Sequence, residues 1–155
     1  MLDLYEELKA VIAKLNEAQI DYALCGGMAL AIHGIPRATV DIDILIQKES
    51  LEKVQIITRG LGYIIKAEPM SFAQEAVEIH RVSKIDPEGH DLLSIDFLLV
   101  TSAIKSIWEN RREVSWEEGK LGVVSREGLI QLKSLRGNAQ DLGDIQKLKE
   151  GTDEG

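Results

Sequence analysis

Apolar residues at the start of the chain recur every three or four positions, which is the period of an amphipathic helix. This stripe predicts a first helix over residues 4–18, with Asp3 as its N-cap. The apolar run 22–25 predicts a short buried strand, which Gly26-Gly27 ends. The stripe consists of Leu4, Leu8, Val11, Leu15 and Ala18.

The rest of the chain alternates between further strand-like and helix-like patterns. The runs 76–83 and 92–100 flank the turn sequence Asp-Pro-Glu-Gly, so we expect an antiparallel hairpin. Together the elements predict an α/β or α+β fold with a mixed sheet flanked by helices, in a single domain over 1–150 with a disordered tail at 151–155. The other predicted strands are 39–46, 62–66 and 121–124, and the other predicted helices are 28–33, 51–60 (capped by Ser50), 102–111, 126–136 (capped by Ser125) and 139–148.

Composition limits the classes of function. The 155 residues include 45% apolar and 28% charged residues, which is typical of a folded domain. A net charge of −8 argues against a general nucleic-acid-binding module but permits a local polyphosphate site. The N-terminus lacks the pattern of a signal peptide and no run is long enough to span a membrane, so we expect a cytoplasmic protein that does not bind membranes. Cys25 has apolar neighbours and is expected to be a buried thiol, not a nucleophile.

Two aspartates on one predicted strand are the first candidates for chemistry. Side chains alternate along a strand, so Asp41 and Asp43 lie on one face while Ile42, Ile44 and Ile46 face the core. Two ionised carboxylates about 7 Å apart repel each other, and burial raises their pKa values further. A divalent cation removes this repulsion, and carboxylate oxygens suit Mg²⁺ or Mn²⁺.

A third aspartate stands in the most apolar run of the sequence. Asp96 lies in the middle of the predicted strand 92–100, where an unpaired carboxylate is costly. If this strand neighbours 39–46, Asp41, Asp43 and Asp96 converge. That is the composition of a site that binds one or two metal ions and transfers a phosphoryl or nucleotidyl group.

The diglycine fits a phosphate site. Without Cβ atoms, Gly26 and Gly27 let the backbone approach a ligand closely, and the start of the following helix offers free N–H groups to an anion. Arg37 could add a two-pronged donor to a phosphate.

Some polar residues are interpreted as structural. Lys133 is interpreted as a solvated helix lysine, with contact to a phosphate as the alternative if the last helices fold over the site. Asp141 and Asp144 are interpreted as favourable charges at a helix N-terminus, and His33 as the C-terminal cap of a short helix.

These motifs resemble the nucleotidyltransferase superfamily typified by DNA polymerase β, and within it the abortive-infection toxin type and related small bacterial enzymes. The resemblance covers roughly residues 20–150. It rests on Gly-Gly-Met-Ala-Leu-Ala (26–31), His33-Gly34, Arg37-x-Thr39-x-Asp41-x-Asp43, Asp96, Lys133-Ser134-Leu135-Arg136 and Asp141-Leu142-x-Asp144-Ile145.

The resemblance implies transfer of a nucleoside monophosphate from an NTP to a hydroxyl acceptor, such as a small molecule, tRNA or protein, with release of pyrophosphate. Asp41 and Asp43 would hold Mg²⁺ or Mn²⁺, and Asp96 would complete the metal site and help deprotonate the acceptor. Gly26, Gly27 and the Met28 amide would cradle the β- and γ-phosphates, with Arg37 at the leaving group.

Two alternatives remain at this stage. Many relatives have serine where this chain has Met28, which offers only its N–H, and the chain is short. It could therefore be a catalytically weak or inactive nucleotide-binding or partner-binding module, and capture of a substrate could require an oligomer or a partner. It could also be a toxin with tRNA or protein as acceptor, silenced by an antitoxin partner.

Overall fold

One mixed sheet with helices on both faces organises the part of the chain that the computed structural model describes, residues 3–35, 41–89, 91–137 and 139–150. This confirms the predicted fold class. The strands are β1 (Tyr22–Cys25), β2 (Asp41–Ile46), β3 (Ile65–Lys66), β4 (Met70–Phe72), β5 (Val77–Ile85), β6 (Leu92–Leu99), β7 (Arg112–Trp116) and β8 (Gly119–Val123). The helices are α1 (Leu4–Glu17), α2 (Gly26–Ile32), α3 (Leu51–Gly60), α4 (Lys105–Glu109), α5 (Arg126–Arg136) and α6 (Ala139–Glu150).

The order of strands puts β2 at the centre of the sheet. The order is β3-β5-β6-β2-β1-β8-β7, and β4 pairs with β5 beside β3. β2 runs antiparallel to β1 and parallel to β6, and the predicted hairpin β5–β6 is antiparallel. The middle of β2 is therefore flanked by two strands that both carry candidate residues.

One face of the sheet is covered by α1 and α3. Ile42, Ile44 and Ile46 are fully buried, as the alternation along β2 predicts. On β5 the side chain of Lys84 reaches this face, where it pairs with Glu7 of α1. The buried stripe of α1 consists of Leu8, Val11, Ile12 and Leu15.

The opposite face carries α2 and the pair α5–α6. Ser125 caps α5 as predicted, because its hydroxyl accepts a hydrogen bond from the Gly128 amide at 3.0 Å. Gly137 ends α5 in the left-handed region, with φ of 66°, which favours glycine. After this turn α6 packs against α5.

Several details differ from the sequence prediction. β4 and β7 were missed: β4 has only three residues, and β7 is an edge strand with mostly exposed side chains. Ser50 makes no side-chain cap, because residues 48–50 form a 3₁₀ turn that leads directly into α3. A second 3₁₀ turn, 102–104, precedes α4, so the predicted helix 102–111 is shorter than expected.

Two expectations about secondary structure fall on residues outside the described ranges. The predicted tail 151–155 is one of them, and the first two residues of the predicted strand 39–46 are the other. Over the part of the chain that is described, no helix is both long and apolar enough to cross a membrane.

Candidate functional site

Asp43 lies on β2, the strand between β1 and β6. It is opposite Cys25 in the antiparallel pair with β1, and opposite Asp96 in the parallel pair with β6. Asp41 lies two residues before it on the same face, opposite Ser94. The structure therefore brings Asp41, Asp43 and Asp96 together at one pocket, although Asp96 is more than 50 residues away in the sequence.

The diglycine adjoins the central aspartate. Gly26 has a φ of +67°, and a Cβ at this position would overlap the Asp43 carboxylate. Only glycine adopts this φ readily and also leaves room for the carboxylate. The start of α2 therefore packs directly against Asp43. Gly26 and Gly27 line the pocket, whereas the Met28 side chain packs against the core. α2 begins at Gly26, two residues earlier than predicted.

Arg81 is a site residue that the sequence prediction missed. It lies opposite Asp96 in the antiparallel β5–β6 pair. Its Nε donates to Asp96 Oδ1 at 2.7 Å and its Nη2 donates to Asp96 Oδ2 at 2.9 Å. The same Nη2 lies 3.7 Å from Asp41 Oδ2. The hairpin register carries the signal that could have found it, because a symmetric turn over 86–91 aligns positions 81 and 96.

Lys133 is not the solvated lysine that the sequence suggested. It is only 7% exposed, and it lines the pocket from α5. Its Nζ lies 3.1 Å from Asp144 Oδ2 and 3.9 Å from Asp141 Oδ1. The alternative interpretation, in which the last helices fold over the site, describes its position correctly.

Asp141 and Asp144 are also more than charges near a helix end. Both are buried on α6, and Asp141 accepts two hydrogen bonds from Arg136, at 2.7 and 2.6 Å. Burial is affordable for these carboxylates because cations of α5 lie beside them. The pairs fix Arg136 and Lys133 at the wall of the pocket opposite the sheet.

Electrostatics in the pocket centre on Asp43. Burial and, to a smaller extent, the charges of Asp96 and Asp41 raise the pKa of Asp43 to about 7, while Arg136 and Lys133 act in the opposite direction. Burial also raises the pKa of Asp41, an effect that the neighbouring Arg81 opposes. A cation bound between these two acids would relieve the cost of ionising them.

The pocket itself is a cavity of about 260 Å³ with three kinds of wall. One wall is acidic, the opposite wall carries the cations of α5, and an apolar wall extends past Asp96 along the sheet. The apolar wall on the sheet consists of Phe72, Ile79 and Leu98, while Leu129 and Leu132 of α5 line the pocket beside the cations.

Two structural interpretations from the sequence hold. Cys25 is 1% exposed, and burial raises the pKa of its thiol well above the usual value, so it is not an activated nucleophile. His33 is the C-cap of α2, and its Nε2 donates to the Val124 carbonyl at 2.9 Å. Arg37 lies outside the described residues.

The acids present fit a Mg²⁺ or Mn²⁺ ion that is completed by substrate. Mg²⁺ is commonly held by one or two carboxylates together with waters and substrate phosphates, and Asp41 and Asp43 supply such a pair. Within the described ranges, no group of three or more His, Cys, Asp or Glu residues is arranged to hold a metal ion by itself. Asp96 is engaged by Arg81 instead.

A family model describing the AbiEii toxin nucleotidyl transferases of the type IV toxin–antitoxin system matches residues 10–113, about two thirds of the chain. The match ends before α5, so the helix that carries Lys133 and Arg136 lies beyond it. Among curated proteins, none matches the sequence significantly.

Solved structures share the fold at low sequence identity. A protein of Thermotoga maritima described as a nucleotidyltransferase (TM1012) is 17% identical with a TM-score of 0.65, over 95% of this chain and 93% of its own. The lincosamide antibiotic adenylyltransferase LnuA, with lincomycin bound, is 17% identical with a TM-score of 0.60, over 95% and 97%. ANT(2")-Ia, in complex with adenylyl-2"-tobramycin, is 13% identical with a TM-score of 0.62, over 94% and 87%.

Proposed function

The chain belongs to the AbiEii nucleotidyl transferase toxin family, and from this premise we propose that it transfers a nucleoside monophosphate from an NTP to a hydroxyl acceptor, with release of pyrophosphate. The observation that carries the proposal is the arrangement of one pocket. Asp41, Asp43 and Asp96 line one wall of the pocket. Gly26 adjoins this wall and leaves room for the Asp43 carboxylate, and Lys133 lines the pocket from α5.

Asp41 and Asp43 would hold Mg²⁺ or Mn²⁺, which would neutralise charge on the triphosphate and the leaving pyrophosphate. The raised pKa values of Asp41 and Asp43 support this role. Burial makes both carboxylates costly to ionise unless a cation lies beside them. The donor set is hard oxygen only, which favours these ions over softer metals.

Backbone N–H groups of Gly26, Gly27 and Met28 would face the β- and γ-phosphates. Lys133 supports this assignment, because its ammonium group lies in the same pocket and would contact the phosphates from the other side. Arg37 would stabilise the leaving pyrophosphate. The net charge of −8 makes such local positive groups necessary for binding a polyanion.

Asp96 would take part in activating the acceptor. The acceptor oxygen forms a bond to the α-phosphorus, the bond from that phosphorus to the bridging oxygen breaks, and the hydroxyl proton goes to the Asp96 carboxylate. Asp96 would also complete the metal site once substrate is bound. The apolar wall beside it, which includes Phe72 and Leu98, offers a surface for a ring of the acceptor or of the nucleotide base.

The test is transfer of label from α-labelled NTPs in the presence of Mg²⁺ and a panel of acceptors that includes tRNA, proteins and small hydroxyl compounds. We expect label on one acceptor class and loss of transfer in Asp43→Ala. The matched control is Asp91→Ala, which removes a carboxylate from the hairpin turn. Transfer that continues unchanged in Asp43→Ala would refute the assigned site.

A second candidate is a nucleotide-binding or partner-binding module with weak catalysis. It is favoured by Met28, whose side chain packs inward and leaves only the amide for a phosphate. Calorimetry with ATP, GTP, CTP and UTP distinguishes the two functions. Binding without turnover over the whole acceptor panel supports the module.

We further propose that the protein acts as a toxin with an antitoxin partner, as the name of its family suggests. Expression should arrest growth, and Asp41→Ala should abolish the arrest at equal protein level. Arrest that persists in Asp41→Ala would separate toxicity from nucleotidyl transfer.

A further inference from the structure

The Arg81 side chain occupies the space between two of the three pocket acids. β5 and β6 form a hairpin whose register sets Arg81 opposite Asp96, so the contact is built into the backbone pairing. The guanidinium makes two parallel hydrogen bonds, at 2.7 and 2.9 Å, one to each oxygen of the carboxylate. This fork-to-fork geometry is the strongest form of an arginine–carboxylate pair.

The pair is well protected from solvent on the acid side. The Asp96 side chain is 9% exposed, and that of Arg81 is 35% exposed. Removing the cation from a buried carboxylate leaves an uncompensated charge and is strongly destabilising, so the pair does not open readily. The same Nη2 that donates to Asp96 also lies 3.7 Å from Asp41 Oδ2.

A divalent ion that used Asp96 would compete directly with this guanidinium. Both oxygens of Asp96 already accept charge-assisted hydrogen bonds, and a second cation would be placed close to a fixed positive charge. Of the Asp41–Asp43 pair on the next strand, Arg81 approaches only Asp41, at 3.7 Å, which is longer than its two hydrogen bonds to Asp96. An ion at that pair therefore competes less with the guanidinium than an ion at Asp96 would.

We propose that Arg81 is a positioning residue that keeps Asp96 from binding a metal ion in the nucleotide-free protein. In that state a single divalent ion binds, and it binds at the Asp41–Asp43 pair. The Asp96 carboxylate stays oriented towards the pocket and joins a second ion only when substrate is bound. This inference rests on the proposed function for the identity of the site, and it adds an order of assembly to that site.

The experiment is a Mn²⁺ titration of the nucleotide-free protein, followed by electron paramagnetic resonance of free Mn²⁺, at one fixed alkaline pH. We expect one bound ion per chain in the wild type and two in Arg81→Met. The double variant Arg81→Met/Asp96→Asn should return to one, because the second ion uses Asp96. Lys66→Met is the control for net charge, since Lys66 is exposed on the neighbouring strand β3; it should bind one ion.

Arg81→Lys tests the role of the fork. Lysine keeps the charge but not the two parallel donors, so we expect a second ion that binds roughly tenfold more weakly than in Arg81→Met. If Arg81→Met does not fold, as judged by circular dichroism, Arg81→Lys carries the test, and a second ion must appear in it that is absent from the wild type.

Two results would overturn the proposal: two ions in the nucleotide-free wild type, or a single ion in both folded Arg81 variants. Neither result depends on turnover. If the ion numbers are as expected but no label is transferred, the proposed function is wrong and the role of Arg81 stands. If label is transferred but the ion numbers differ from those expected, the role of Arg81 is wrong and the proposed function stands.

Discussion

Asp43 lies on the central strand with an acid, a glycine and a thiol around it, and this position determines its ionisation. Burial and two neighbouring carboxylates raise its pKa to about 7, from an ordinary value of 3.8. The folded protein therefore binds a proton at Asp43 between these two values, where the unfolded chain does not. In the absence of cations, this acid should make the fold less stable as the pH rises from 4 to 7.

Asp43→Asn should accordingly stabilise the cation-free protein at pH 8 and have little effect at pH 4.5. The expected gain at pH 8 is roughly 1–4 kcal/mol, since a shift of one pKa unit corresponds to about 1.4 kcal/mol. Urea unfolding in EDTA at the two pH values measures it. Added Mn²⁺ should stabilise the wild type at pH 8 and not the variant; an equal gain at both pH values would show that the charge is not responsible.

Gly26 offers a sharp test of the fit between α2 and Asp43. Gly26→Ala combines a left-handed φ of +67° with a Cβ that overlaps the carboxylate, so we expect a loss of about 2 kcal/mol or more in unfolding free energy. It should also weaken Mn²⁺ binding, because Asp43 must move.

Gly34→Ala is the matched control for that test. Gly34 also has a left-handed φ, of +86°, but its Cβ would meet nothing within 4 Å. Gly34→Ala should lower the unfolding free energy by about 1 kcal/mol, which is the cost of the left-handed backbone alone, and should leave the Mn²⁺ affinity unchanged. Equal losses of Mn²⁺ affinity in the two variants would contradict a specific contact between Gly26 and Asp43.

Among the elements, the pair α5–α6 holds the cationic wall of the pocket. Lys133 and Arg136 project from α5, and Asp141 and Asp144 of α6 hold them by ion pairs. The helices thus form a part of the site that the three strands do not supply. Their position depends on the turn at Gly137 and on these buried pairs.

Lys133→Met should lower both stability and affinity for the triphosphate. Two buried carboxylates would lose a neighbouring cation, at a cost of about 1–3 kcal/mol, and the phosphates would lose a contact. Asp144→Asn is the control, because it disturbs the same buried pair but keeps the ammonium group. We expect calorimetry with a non-hydrolysable NTP to give at least tenfold weaker binding for Lys133→Met and a change within about twofold for Asp144→Asn. Similar affinities in the two variants would show that Lys133 is purely structural.

The elements also show why some site residues could be predicted and others could not. Asp41, Asp43, Gly26 and Gly27 lie close together in sequence, and strand alternation alone places the two aspartates on one face. Asp96 stood out because a carboxylate is costly in an apolar run.

Arg81 and Lys133 had no comparable local signal. The contact of Arg81 depends on the register of a hairpin whose ends were only approximately located, and an error of one residue turns its side chain to the other face. The burial of Lys133 depends on how α6 folds back on α5, which is a tertiary contact. β4, which brings Phe72 to the pocket, is too short to leave a pattern of its own.

At the scale of the whole molecule, the pocket differs from the rest of the chain in its balance of acidic and basic residues. The chain carries 26 acidic and 18 basic residues, whereas the pocket lining has as many cations as acids, because Arg81, Lys133 and Arg136 lie around the same cavity as the three aspartates. A polyanionic acceptor such as tRNA would meet a repulsive field at long range and a few attractive contacts at short range. The two effects respond differently to salt, because ions screen the field over about 10 Å at 0.1 M.

This balance predicts the salt dependence of tRNA binding, if tRNA is the acceptor. Each phosphate contact contributes a slope of about −0.7 to −0.9 in log K against log salt, and screening of the repulsion acts in the opposite direction. We therefore expect a slope no steeper than about −2, where a basic nucleic-acid-binding protein with six or more phosphate contacts gives a much steeper one. Fluorescence anisotropy with labelled tRNA between 50 and 300 mM salt measures the slope. A slope near −5 would mean that a separate basic surface, not this pocket, binds the RNA, and the acceptor would then have to be held outside the wall formed by α5.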